Sequence, residues 1–87
     1  MLFRSDSRAV GQAADNLRAG TLTRLAKHFR LGPEARAEAV LDAVSRKVNQ
    51  PAQELRMLLL DHRPRTESEL VHWAQSIETL EQEATAP

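Results

Sequence analysis

Apolar residues recur along this chain at intervals of three and four, the spacing that places side chains on one face of an α-helix. That spacing predicts a long first helix over about residues 3–31, with Val10, Ala14, Leu17, Thr21, Leu25 and Phe29 on one side. Leu22 and Ala26 widen the stripe towards its end. Gly11 and Gly20 lie inside the pattern at a cost of about 1 kcal/mol each relative to alanine, and Gly20 is where such a helix would break. A second helix, over 34–48, is the most regular, with Ala37, Val40, Leu41, Val44 and Val48 in register. Glu34 in its first turn and Arg46 and Lys47 in its last complement the helix dipole.

The third segment, about 51–61, is short and apolar on more than one side: Leu55, Met57, Leu58, Leu59 and Leu60. Such a helix is either wrapped by neighbours or partly exposed for a partner. The fourth, about 67–84, buries Leu70, Trp73, Ala74, Ile77, Leu80 and Ala84, and Thr66 followed by Glu69 reads as a capping box at its start. Gly32-Pro33, Asn49-Gln50-Pro51 and Arg63-Pro64-Arg65 separate the segments. Glycine and asparagine suit the left-handed position after a helix, and proline suits the first turn of the next. No stretch reads as a strand. The expectation is an all-α fold: a compact four-helix bundle with a long first helix and a helix-turn-helix-like pair in the middle. It forms one domain over 1–84, and 85–87 is a frayed tail.

With 87 residues the core is thin, because a chain this short buries only about 60–65% of its unfolded surface. A deep substrate cavity is not expected. Cysteine is absent, which removes disulfides, thiolate metal sites and a cysteine nucleophile and fits a reducing compartment. No apolar run approaches the roughly 20 residues of a membrane span, so the chain reads as soluble. Its net charge is zero, yet the charges are segregated. Residues 1–30 hold Arg4, Arg8, Arg18, Arg24, Lys27 and Arg30 against Asp6 and Asp15; residues 66–87 hold Glu67, Glu69, Glu78, Glu81 and Glu83 and no Lys or Arg. The simplest consequence is that the two end helices lie together and attract. Pairing of the charged ends between copies, as self-association, is a further possibility.

Nothing in the sequence converges as catalytic or metal-binding groups must. His28, His62 and His72 are scattered, without a metal-ligand pattern. Asp61-His62-Arg63 lies at a helix exit, where such residues meet solvent or cap a backbone group. The serines lack a strand-to-helix elbow, and no glycine-rich loop follows a strand. Neither an enzyme nor a cofactor is expected. Residues 44–58 do have the rhythm of a helix-turn-helix, and the alternative function is a small DNA-binding domain reading bases with Gln53 and Arg56. Charge weighs against it: the would-be recognition helix sets Glu54 and Asp61 against Arg56, whereas phosphate binding needs a basic face. Helix one, amphipathic and basic, also has the outline of a membrane-surface helix, but its stripe is poor in large side chains before Leu22 and suits a bundle face better.

The stretch from Asp15 to Gly32, with Leu17-Arg18, Leu22, Arg24-Leu25-Ala26 and Leu31-Gly32, is followed by Val44-Ser45-Arg46-Lys47-Val48-Asn49-Gln50-Pro51 and then by Glu69-Leu70-Val71, Ala74, Ile77 and Leu80-Glu81. This order resembles the C-terminal tail of a bacterial membrane-protein family of unknown function, the domain of unknown function four-three-five-zero. Its members combine an amidotransferase-like ectodomain, a transmembrane helix and a helical tail inside the cell. The resemblance spans nearly the whole chain on motifs of leucine, alanine and arginine. It implies a cytoplasmic fragment at the inner face of a membrane, with no catalytic residues, and a complex with a MoxR-type AAA+ ATPase or a membrane-complex subunit. Basic residues in helix one suit the cytoplasmic side of a span.

The leading expectation is therefore a non-catalytic helical protein-interaction module, binding another protein. The surplus apolar residues of the third segment place the contact on a strip near Met57, Leu59 and Leu60, bordered by Arg56 and Arg63.

Overall fold

The structure, a computed structural model, describes residues 6–87. Helix α1 spans Asp6–His28, α2 spans Ala37–Val48, α3 spans Ala52–Arg56 and continues as one π-helical turn over Met57–Asp61, and α4 spans Glu67–Thr85. The described residues contain no strand and no helix long and apolar enough to cross a membrane. The fold is the all-α four-helix bundle that the periodicity predicts. The start expected at residue 3 lies outside the described residues.

Helices α1 and α4 make the most extensive packing of the bundle. They run in the same direction, since Arg18 meets Trp73 near the middle and Arg24 meets Glu81 further along. Leu25, Val40, Val44, Leu55, Leu59 and Ile77 are almost wholly removed from water and draw one residue or more from every helix into a single core. Burial of each side chain of this size contributes about 1.5–3 kcal/mol. The stripe read on helix one holds: Val10, Ala14, Thr21 and Leu25 are buried, and Leu17 and Phe29 are half-buried. Thr21 carries the one buried hydroxyl on that stripe, and it accepts a hydrogen bond from Arg24 Nη2 at 3.3 Å.

Helix α1 passes through Gly20 without a break. A Cβ there would lie 3.3 Å from the Arg24 guanidinium, which spans the same stretch of surface to reach Glu81. The guanidinium donates from Nε to Glu81 Oε2 at 2.7 Å and from Nη2 to Oε1 at 2.9 Å. That hydrogen-bonded carboxylate raises the Arg24 pKa above its ordinary value. On the arginine's side this contribution is present throughout the pH range below the normal arginine value and is lost as pH rises through the raised one. This is the attraction between the end helices that the charge segregation predicts.

The end of α1 departs from expectation. Gly32 is left-handed, with φ 72°, but the residue that stops the helix is Arg30, with φ 59°. Arg30 N–H donates to Lys27 O at 3.1 Å and Leu31 N–H reaches back to Ala26 O at 2.8 Å. This is a Schellman motif with arginine where glycine is usual. Because Gly32 and Pro33 then form a turn, closed by Ala35 N–H on Gly32 O at 3.3 Å, α2 starts at Ala37 and not at residue 34. Glu38 takes the place in its first turn that Glu34 was expected to fill.

Asn49 is left-handed, as expected, with φ 59°, and its N–H donates to Ser45 O. At the start of α4, Thr66 Oγ1 accepts from Glu69 N–H at 3.1 Å, but the Glu69 carboxylate accepts from Arg65 N–H at 2.8 Å, one residue before the capping residue. The helix runs one residue past its expected end, and Lys47 from the last turn of α2 donates to Ala84 O at 3.4 Å and to Ala86 O.

The left-handed Arg30 gives a direct test. An L-residue with a side chain is disfavoured there by about 1 kcal/mol, a cost that glycine avoids. Arg30→Gly should raise the unfolding free energy by about that amount in a urea titration, with the m-value unchanged.

Candidate functional site

The third segment is where the sequence places the contact with a partner, and its geometry is set by how α3 ends. A helix leaves its last four carbonyls without intrahelical donors. Here the last turn widens to the π form, closed by His62 N–H on Met57 O at 2.9 Å. Two side chains from other helices take up the carbonyls it turns outward. Trp73 Nε1–H donates to Leu58 O at 2.7 Å. Arg18 Nε–H donates to Leu59 O at 2.6 Å, and Arg18 Nη2 donates to His62 O at 2.7 Å.

Arg18 is the residue that sequence reading missed. It lies in the middle of α1 and is only 9% exposed. Its charge is met by Asp15 Oδ1 at 2.9 Å, one turn earlier, and its guanidinium carbon stacks 5.0 Å from the centre of the Trp73 ring. A buried guanidinium is costly unless its donors are used and a counter-charge is near. This one uses three directions at once. The signal in the sequence was slight: an arginine beside the apolar stripe, next to Leu17, with an acid three residues before it.

The five residues expected to form the contact do not share one surface. Met57 is exposed, at 57%. Leu59, by contrast, is fully buried in the core, and Leu60 is half-buried against it. The reason is the π turn, which spends an extra residue per turn and so breaks the phase that α-helical spacing assumes. Arg56 points to the α2 side, where both outer nitrogens donate to Glu38 Oε2, at 3.0 and 3.1 Å. Arg63 lies beyond the end of the π turn, exposed, 3.7 Å from Asp15. The strip as drawn, with Leu59 in it and arginines along its border, is corrected accordingly.

What Met57 overlooks is a groove of about 690 Å³ between the α3 turn and α4. Leu58 and Trp73 supply its apolar surface, and Glu54, Asp61 and Glu69 its acidic groups. His62 and His72, ten residues apart in sequence, line the same groove, and the His62 ring lies 6.2 Å from that of Trp73. No group of three or more His, Asp or Glu among the described residues is arranged to hold a metal ion.

The residues proposed to read DNA are placed differently. Gln53 and Arg56 line a small cleft with Glu38 and Asp42 of α2. A phosphate approaching Arg56 would therefore meet two carboxylates, one of them already holding the guanidinium.

The carbonyl clamp makes a strong prediction. Arg18→Met keeps much of the side-chain volume but leaves the Leu59 and His62 carbonyls without their donor, at about 1–3 kcal/mol for each buried group. We expect a loss of about 2–4 kcal/mol by chemical denaturation, while Trp73→Phe, which orphans only Leu58 O, should lose about 1–3 kcal/mol. An Arg18→Met variant as stable as the parent would show that the clamp is ornamental.

Comparison with known proteins adds no relative: no family model, no curated protein and no solved structure matches this chain.

Proposed function

We propose that this domain is a non-catalytic protein-interaction module whose contact surface is the groove between the α3 turn and α4. The observation that carries the reading is Met57: a large, flexible apolar side chain held more than half exposed at the edge of a concave surface whose floor is Leu58 and Trp73. Exposed apolar surface of this kind marks contact sites. Methionine suits one because its unbranched, polarisable side chain adapts to what it meets. A groove between two helices is the usual receptor for an amphipathic helix laid across it.

Charge defines the partner further. Glu54, Asp61 and Glu69 ring the apolar floor, so the complementary segment carries lysine or arginine beside its apolar anchor. The resemblance to the tail of a membrane protein makes a MoxR-type ATPase or another subunit of a membrane-associated complex the first candidate. That assignment is part of the proposal.

The test is retention of a partner from nuclease-treated lysate on the immobilised domain. Met57→Asp introduces a charge at an exposed position and should leave helicity and the unfolding midpoint within about 0.5 kcal/mol of the parent, yet abolish retention. Leu60 is unsuitable for the same purpose because it packs on the core. Retention by both proteins, or by neither, overturns the reading. Retention that appears only when nuclease is omitted turns it towards nucleic acid.

A further inference from the structure

A second groove lies between α1 and α2 and shares no lining residue with the one beside Met57. Leu22 and Ala26 lie four residues apart along α1, Arg30 follows just past its end, and Ala37 and Val40 line the groove from α2, enclosing about 490 Å³. The lining is apolar apart from Thr23, Lys27 and Arg30. Among the described residues, the ion pairs of the fold engage Arg18, Arg24, Arg56 and Arg63, and neither Lys27 nor Arg30 takes part in one. Lys27 lies in the last turn of α1 and Arg30 just past its end, both at one groove with an apolar surface between the helices.

Arg30 adds a separate argument. It holds a left-handed backbone conformation, φ 59°, at the position where a helix of this kind normally ends in glycine. Strained residues of this sort concentrate where a side chain is used. Its backbone closes the helix, but its side chain makes no hydrogen bond or ion pair among the described residues, and its place at the groove puts a guanidinium beside an apolar cleft.

We infer that this groove is a second interaction surface, and that it receives an acidic amphipathic helix of a partner protein, with leucine-like anchors on Leu22, Ala26 and Ala37 and carboxylates on Lys27 and Arg30. Charge complementarity selects this occupant. The groove is the opposite of the acidic one beside Met57, so the domain offers two faces of unlike charge and joins two different segments. The inference is independent of the Met57 groove, whose failure would leave it standing.

The probe is an acetylated alanine-based peptide about four turns long, carrying leucines four apart flanked by glutamates, with a twin in which lysines replace the glutamates. Backbone amide shifts of the isotope-labelled domain report the binding site. The acidic peptide should saturably move the signals of Leu22, Ala26, Ala37 and Val40, with the lysine twin at least roughly fivefold weaker. Arg30→Gly separates function from folding: it should weaken the acidic peptide roughly fivefold while raising the melting temperature. Lys27→Glu should weaken it further, at unchanged helicity. Equal binding of the two peptides, shifts confined to the Met57 groove, no shift at these four amides, or undiminished binding by Arg30→Gly each overturns the inference. So does movement of the same four amides with protein concentration alone, which would make the occupant a second copy of the chain.

Discussion

The end of one short helix governs this fold. α3 and its π turn are only ten residues long, too short to hold a helix in water by themselves. They are fixed because a guanidinium from α1 and an indole from α4 take the carbonyls that the turn leaves open. Each of those groups answers a need of its own. Arg18 could not stay buried without acceptors and Asp15, and Trp73 could not bury its N–H without a carbonyl. Three helices thus resolve three separate polar problems at one place. No buried side-chain nitrogen or oxygen among the described residues is left without a partner.

The same junction shapes the surface proposed for binding. Once Leu59 turns inward to the core and its carbonyl is held by Arg18, Leu58 and Trp73 become the floor of a groove and Met57 its exposed edge. Packing and the proposed recognition are two sides of a single turn. The basic groove between α1 and α2 is organised by another helix terminus, the one stopped by Arg30, so both proposed contacts sit where a helix ends.

The helices that follow α-helical spacing could be read directly from residues. Val40, Leu41 and Val44 are buried as their period requires, and Thr66 starts α4 as its hydroxyl allows. The approach of α1 to α4 was written in the segregated charges and is realised by Arg24 and Glu81. What escaped were the features that depend on a distant element. Arginine beside Leu17 reads as solvent-facing unless one knows that two carbonyls wait for it from more than forty residues away. Which of Met57, Leu58, Leu59 and Leu60 faces outward depends on a π turn, and a run of four apolar residues has no period to reveal it. Arg30 was passed over because Gly32, two residues later, offers the commoner stop.

The parallel course of α1 and α4 has a mechanical side. Because the two helices point the same way and carry the two ends of the described chain, Asp6 and Thr85 lie towards opposite ends of a body 46 Å long. A pull applied through those two ends slides α1 and α4 along each other and does not peel them apart. Sliding loads the Arg24–Glu81 pair, the Arg18 clamp and the interlocked core together, whereas peeling would open them one by one. A bundle wired in this way resists traction between its ends better than its thin core alone would allow.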